Sequence, residues 1–187
     1  SRGMGVSSKT VEEEISKNQV DSKKYIRSKD PRIIVVTNMA EARPMLSEIK
    51  NTADRGTTKR QLQSFFADKE VNAFAYRGKK EYVITHRKCN RIALDHEIGH
   101  IHDFRSQNLT MSGKNKYSEK PLQQFLFKKN YQEGMYQAEV AAWDKANIPK
   151  SNKLRSAALD TYDKSFHKNR MSVAAPTAVG LLLYGAN

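Results

Sequence analysis

Cysteine is almost absent from this chain of 187 residues, which contains only Cys89. One cysteine excludes an intrachain disulfide. A chain of this length needs no cross-link, because folding can bury roughly 70% of its unfolded surface. The N-terminus also lacks the apolar segment of a secretory signal peptide. Both absences favour a reducing compartment, and we expect a cytoplasmic protein.

Long apolar runs are lacking as well. The most apolar stretch, residues 173–186, is interrupted by Pro176 and Gly180. At about fourteen residues it is too short to cross a bilayer comfortably as a helix. We therefore expect residues 171–187 to form an apolar tail that packs on the domain or leads into further chain, and we expect no membrane partner.

Acidic residues are scarce relative to basic ones, at 20 against 33, so the formal net charge is +13 and the pI is about 9.8. Such a charge favours an anionic partner, either nucleic acid or an acidic protein. The lysine pairs at residues 23–24, 79–80 and 128–129 are scattered, and no arginine-rich tract joins them. A general solvated basic surface is therefore the other explanation of the charge.

The apolar pattern predicts an α+β fold. A β-branched run at residues 33–37 predicts a buried strand. Residues 71–85 predict a hairpin that turns at Gly78. In this hairpin Phe74 and Tyr76 lie on one strand, and Tyr82 and Ile84 lie on the other.

Helices are predicted where the apolar residues recur at helical spacing. They begin at a capping box at Thr10 and continue at residues 40–50, 58–66, 121–127, 131–146 and 151–168. Residues 105–120 show no clear period and predict a loop. We expect residues 1–30 to form an N-terminal helix with a peripheral segment, and residues 31–170 to form the main domain.

Three histidines and three carboxylates lie within residues 93–104. Among them, His96, Glu97 and His100 match the pattern H-E-x-x-H, in which the two histidines point to the same side of a helix. Two such imidazoles can bind one Zn²⁺. The glutamate, about 100° further round the helix, is placed to accept a proton from a zinc-activated water. The flanking residues are apolar on nearly all sides, which predicts a buried helix.

Glu139 is the predicted third zinc ligand. In the helix at residues 131–146, this carboxylate lies in the middle of an apolar stripe that includes Trp143. A buried carboxylate is costly without a cation, and zinc bound by the two histidines would supply one. The alternative is a salt bridge to a buried arginine or lysine.

Other polar residues near the motif are weaker candidates. Asp103 lies on the metal-facing side one turn after His100 and could be a ligand, but the rigid spacing along one helix favours a supporting role. His102 should point away from the metal, Glu133 falls on the polar side of its helix, and Cys89 is predicted to be a core residue.

The motif His96-Glu97-Ile98-Gly99-His100 and the later stretch Ala138-Glu139-Val140-Ala141-Ala142-Trp143 resemble the zincin metallopeptidases of the gluzincin type. The order of elements over residues 71–147 looks closest to the ImmA/IrrE-type minimal peptidases, in which a hairpin strand precedes an H-E-x-G-H helix. The 38 residues between the second histidine and the glutamate exceed the interval of the simplest members, which predicts an insertion.

The resemblance implies a zincin-like fold, with a small, mostly antiparallel sheet packed on the active-site helix and further helices C-terminal to it. It implies one Zn²⁺ per chain, held by His96, His100 and Glu139. It also implies that Glu97 is the general base and that the enzyme is a metalloprotease.

The resemblance also implies where a peptide substrate would bind. The strand at residues 82–85 would be the sheet edge that holds the peptide by β-addition. A further donor should stabilise the oxyanion, and Tyr136, Tyr162, His86 and His167 are the open alternatives.

Two functions are compatible with these observations. The first is a zinc-dependent endopeptidase. The second is a zincin-fold binding or regulatory protein that acts through its basic surface on nucleic acid or an acidic partner. Glu97 favours the enzyme, because a purely structural zinc needs no general base. Either function is compatible with a module of a larger virion or envelope protein.

Overall fold

The structure is a computed structural model that describes residues 8–68, 73–110, 120–121 and 131–167. The described part is a mixed α+β fold with seven helices and seven short strands. The helices are α1 (Ser8–Ser16), α2 (Ser22–Lys29), α3 (Arg43–Ser47), α4 (Thr52–Ala67), α5 (Arg91–Gln107), α6 (Tyr131–Lys145) and α7 (Lys153–His167). The strands are β1 (Gln19–Asp21), β2 (Ile34–Val36), β3 (Ala73–Arg77), β4 (Glu81–Thr85), β5 (Lys88–Asn90), β6 (Leu109–Thr110) and β7 (Lys120–Pro121).

The central sheet has three strands in the order β2-β4-β3. β3 and β4 form the predicted hairpin, with Phe74 opposite Ile84. Its turn is closed by a hydrogen bond from the Gly78 amide to the Lys80 carbonyl, 2.9 Å long. β2 pairs with β4 in parallel. The sheet is therefore mixed, and two small two-stranded ribbons, β1-β5 and β6-β7, accompany it.

β4 is the central strand of this sheet, so the prediction that residues 82–85 form a substrate-binding edge is wrong. Val83 is paired with Val35 of β2 on one side and with Ala75 of β3 on the other. A strand that is paired on both sides has no backbone groups left to add a peptide strand.

The sheet is covered on both faces by helices. Large side chains of β3 and β4, including Phe74, Tyr76 and Tyr82, pack in one cluster with residues of α3 and α4. The alternate positions are small, and Ala75 and Val83 pack in a second cluster with α5. Because neighbouring side chains of a strand point to opposite faces, this alternation allows α5 to lie close to the sheet.

β2 is less buried than its sequence predicts. Val36 is fully buried, but Ile34 is 38% exposed.

Helix α5 begins at a cap that connects it to the N-terminal part of the chain. The Asn90 side chain accepts hydrogen bonds from the amides of Ile92 and Ala93, which satisfies donors at the helix start. Its amide group donates to the carbonyls of Glu14 and Lys17 at the end of α1. The helix ends at Gln107, inside the stretch predicted as a loop, before Asn108 adopts a left-handed conformation (φ 54°).

The N-terminal segment is part of the fold, which corrects the expectation of a peripheral segment. β1 pairs with β5, and Ile26 of α2 is fully buried among residues that include Leu94 and Ile98 of α5. Helix α1 begins at Ser8, so Thr10 lies inside the helix and the predicted capping box is wrong. The burial of this segment was not predicted because its sequence is mostly polar and α2 buries only one narrow side.

The remaining element predictions hold to different extents. The helices predicted at residues 131–146 and 151–168 are confirmed as α6 and α7, whereas α3 is shorter and α4 longer than predicted. Pro121, predicted to start a helix, belongs to β7. Residues 122–127 and the tail at 171–187 lie outside the described residues. None of the described helices has the length and apolarity needed to cross a membrane.

Candidate metal centre

The candidate site depends on a close approach between α5 and α6. Gly99 lies against Ala142 of α6, where an added Cβ would be only 2.1 Å from the Ala142 carbonyl oxygen and 3.2 Å from the Cβ of Ala146. Only glycine allows the helices to come this close at that point. Ala138, Ala142 and Ala146 lie on one side of α6, because residues four apart share a helix face. Small residues on both helices therefore set the distance across which the functional side chains meet.

His96, His100 and Glu139 converge at this contact. His96 Nε2 lies 2.7 Å from one carboxylate oxygen of Glu139, and His100 Nε2 lies 3.1 Å from the other. One ligand atom from each residue lies within 4.8 Å of the other two. All three side chains are fully buried. The three residues thus form a buried group that could hold a metal ion.

The donor atoms are of the kinds that bind metal ions. His96 Nε2 is hydrogen-bonded to one Glu139 oxygen at 2.7 Å, and the other oxygen lies 3.1 Å from His100 Nε2. His100 Nε2 has no hydrogen-bond partner among the described residues despite its proximity to Glu139. A nitrogen and an oxygen that are near each other without hydrogen-bond geometry are arranged as two ligands of one ion would be.

Burial keeps both histidines neutral. It lowers the pKa of His96 to about 4, although Glu139 partly opposes the shift, and it lowers the pKa of His100 to about 3. Neutral imidazole is the form that binds a metal. At pH 7 the histidines consequently supply lone pairs and do not neutralise the carboxylate of Glu139.

Glu97 follows His96 on α5, and its side chain is fully buried as well. The sequence places it at the edge of the metal-facing side. It is not a member of the group that could hold a metal ion, and its charge contributes to the raised pKa of the buried Cys89 thiol.

Trp143 is a residue of this site whose role the sequence did not reveal. Its ring lies on the His96 ring, with the centroids 3.9 Å apart and the planes inclined by 31°. Phe104 lies against the His100 ring at 5.6 Å. These contacts hold the imidazoles in position. The available signal was the position of Trp143 one helical turn after Glu139, on the same side of α6.

The alternative of a buried salt bridge centres on Arg155, which is only 3% exposed. Its guanidinium donates to the Ile148 carbonyl at 2.8 Å and pairs with the Asp144 carboxylate at 2.9 Å. Arg155 thus binds groups near the end of α6, and Glu139 contacts the two histidines.

Asp103 stands beside the group and is not a member of it. It accepts a hydrogen bond from the Gln107 amide at 2.9 Å. Burial raises the pKa of Asp103, and its charge opposes the lowering of the His100 pKa. Its supporting role stays a prediction.

His102, His86 and Cys89 are not members of this group. His102 contacts the Asp30 carboxylate at 3.2 Å on another side of α5, as predicted. Cys89 is fully buried in the core, and burial raises the pKa of its thiol to about 11. The His86 ring packs on Phe65 at 4.7 Å. Tyr136 is half-buried on α6, and the side chains of Glu133, Tyr162 and His167 lie outside the described residues.

Comparison of the chain with protein-family models, with curated proteins and with solved structures finds no match.

Proposed function

We propose that this protein is a zinc-dependent endopeptidase of the gluzincin type. The observation that carries the proposal is the convergence of His96, His100 and Glu139 in one buried group, with Glu97 next to His96 in the same helix and fully buried. The two parts of this group come from helices separated by a long stretch of chain, and no local sequence constraint brings them together. Their meeting therefore supports a function for the H-E-x-x-H motif beyond a chance pattern.

The zinc ion is proposed from the donor set. Two imidazoles and one carboxylate are the ligands of many catalytic zinc sites, which leave a further position for water or substrate. A structural site instead has four protein ligands. Two neutral histidines and two carboxylates also give a local charge that a divalent cation would balance.

In the proposed mechanism, His96, His100 and Glu139 hold the ion, which when bound would polarise a water molecule and the scissile carbonyl. Glu97 accepts the proton of the attacking water and then delivers it to the leaving amine. Trp143 and Phe104 fix the two imidazole rings. The four central side chains are fully buried, so a peptide can reach them only when the surroundings of the site move.

The decisive experiment combines metal analysis with cleavage. Protein purified without chelator should contain one zinc per chain and should cleave members of a mixed peptide library, as detected by mass spectrometry. Glu97→Gln should keep the zinc and lose about 10²–10⁴-fold in cleavage rate, which is the usual contribution of a general base.

Three results would contradict the proposal. Protein that neither contains nor takes up zinc would lack the site. Loss of zinc in Glu97→Gln would make Glu97 a ligand rather than a base. Cleavage that continues at the same rate in zinc-containing Glu97→Gln would come from another residue or from a contaminant.

The second candidate is a zincin-fold protein that binds an anionic partner. Its support is the exposed face of α2, which carries Lys24, Arg27 and Lys29. In that case wild type and Glu97→Gln would bind DNA or an acidic protein equally, and neither would cleave peptides.

A further inference from the structure

A pocket of about 590 Å³ lies on the outer side of α3 and α4, within the size range of small-molecule sites. The side chains of Met39 and Leu46 contribute apolar surface to it, and Arg43, Arg55 and Lys59 contribute positive charge. Its lining contains no carboxylate. The pocket thus combines three cations with an apolar wall, and the metal-binding proposal uses none of these residues.

Nearby carboxylates do not neutralise these cations. Glu41 accepts hydrogen bonds from the Thr37 amide and hydroxyl and forms an ion pair with Lys23. Glu48 binds the Tyr82 hydroxyl at 2.9 Å and the backbone amide of Lys79. Both acidic residues that flank α3 are therefore occupied by other partners.

Arg55 is held in a fixed orientation. Its Nε and one Nη donate to the Ile49 carbonyl oxygen at 2.9 and 2.6 Å. These bonds use two of the five N–H donors of a guanidinium and leave three. Lys59 lies one turn later on the same face of α4, where two like charges repel each other. Arg43 and Lys59 are exposed and have no ion-pair or hydrogen-bond partner for their side chains among the described residues.

We propose that this pocket binds a small phosphate monoester with an apolar body. A phosphate monoester carries up to two negative charges at pH 7, which suits a pocket lined by three cationic residues better than a single carboxylate does. Arginine and lysine are the usual phosphate-binding side chains. Met39 and Leu46 would contact the apolar body. The site is independent of the zinc centre, so it stands or fails apart from the peptidase proposal.

The test uses the full 187-residue chain and calorimetric titration with phenyl phosphate, inorganic phosphate and benzoate. Phenyl phosphate should bind more tightly than either of the other two. Arg43→Ala and Lys59→Ala should each weaken the binding of phenyl phosphate roughly tenfold or more, as the loss of a charged hydrogen bond does. Both side chains are exposed, and unchanged circular dichroism would confirm that the variants fold.

Lys88→Ala is the matched control, because it removes the same charge from an exposed residue of β5 outside the pocket. It should change the affinity by less than about twofold. An equal loss in Lys88→Ala would overturn the proposal in favour of non-specific attraction. Equal binding of benzoate would overturn the phosphate assignment, and equal binding of inorganic phosphate would overturn the apolar contact. Absence of binding at millimolar concentration would overturn the site itself.

Discussion

Helix α5 carries two polar clusters on different sides. In one cluster the carboxylates pair with arginines, and in the other they lie with neutral histidines. The histidine–glutamate cluster consists of His96, His100, Glu97 and Glu139. The arginine cluster consists of Asp30, Arg77, Glu81, His102 and Arg105. Both clusters connect α5 to other elements, to α6 in the first case and to the sheet and the end of α2 in the second.

The arginine cluster balances its own charge. Arg105 donates two hydrogen bonds of 2.6 Å to the two carboxylate oxygens of Glu81 and one of 2.7 Å to Asp30. Arg77 provides a second guanidinium, 3.3 Å from Glu81. Burial alone would raise the pKa of Asp30, but the bonds from Arg105 and its neighbours outweigh this and lower it to about 2. Two carboxylates thus face two permanent cations.

The histidine–glutamate cluster contains no arginine or lysine. Its histidines are kept neutral by burial, and its carboxylates are more deeply buried than those of the arginine cluster. Local pairing thus explains the arginine cluster, whereas the histidine–glutamate cluster contains a buried group that could hold a metal ion. Four experiments test this difference between the clusters, in order of decreasing expected effect.

The largest effect is expected for Glu139→Ala. Removal of a direct ligand should weaken zinc binding by more than the roughly 10–100-fold that loss of a supporting group costs. The metal-free variant should unfold at the same or slightly higher denaturant concentration than metal-free wild type, because a buried carboxylate has been removed. Competition with a calibrated chelator measures the affinity.

Asp103→Asn is the control for this experiment. It keeps the size of the side chain and should reduce the affinity only within the supporting range. If the affinity falls more in Asp103→Asn than in Glu139→Ala, Asp103 is the third ligand.

The second effect is the dependence of metal-free stability on pH. His96 and His100 have a lower pKa in the folded chain than the ordinary 6.5, so the unfolded chain binds more protons below that pH. Stability should therefore fall as the pH falls from about 6.5 towards about 4, by up to a few kcal/mol at ~1.4 kcal/mol per pKa unit. Urea unfolding of metal-free protein between pH 7 and pH 4 measures it.

The contribution of the arginine cluster to stability should change at lower pH than that of the histidines. The pKa of Asp30 is lowered from 3.8 to about 2, so its contribution to stability is present above about pH 4 and is lost as the pH falls towards about 2.

The double variant His96→Gln/His100→Gln is the control for the histidines. In this variant the loss of stability between pH 6.5 and 4 should disappear. An unchanged slope in that variant would show that the two histidines are not the groups responsible.

The third effect concerns the contact between α5 and α6. Gly99→Ala places a methyl group 2.1 Å from the Ala142 carbonyl oxygen, so the helices must separate. We expect a loss of about 1–3 kcal/mol in unfolding free energy together with weaker zinc binding. Gly56→Ala in α4 is the matched control, because the nearest atom to its added Cβ is the end of the Arg60 side chain at 3.6 Å.

Helix propensity should make Gly56→Ala neutral or stabilising by up to about 1 kcal/mol. Equal behaviour of the two variants in denaturant and in zinc affinity would contradict the role assigned to the close helix contact.

The smallest effect is expected for His102→Ala. Its side chain is 39% exposed and contacts Asp30 at 3.2 Å, a carboxylate that Arg105 already binds. The unfolding free energy should fall by less than about 1 kcal/mol, and the zinc content should not change. Reduced zinc content in this variant would place His102 in the metal centre and remove the distinction between the two clusters.

Much of the site was predictable because its rules are local. The spacing of His96 and His100 predicts a shared helix face, and the isolation of Glu139 in an apolar stripe predicts a buried carboxylate that needs a cation. The hairpin was predictable for the same reason, since alternation and the turn at Gly78 are properties of adjacent residues. Each of these predictions rests on residues close together in the chain.

Long-range features were not predictable in this way. The pairing of β2 with the far side of β4 made a predicted edge strand central. The pairing of β1 with β5 and the burial of Ile26 brought a polar N-terminal segment into the core.

By itself, the sequence determined which side chains have metal-binding chemistry and which faces of their helices they occupy, because helical and extended periodicities follow from the backbone alone. Only the tertiary structure decided that these faces meet. In the contact between α5 and α6, the Ala142 carbonyl oxygen lies where a Cβ on residue 99 would be, so Gly99 is required there. The Trp143 ring packs on the His96 ring in the same contact. Such packing depends on the shapes of both partners at once, and no single segment of sequence contains it.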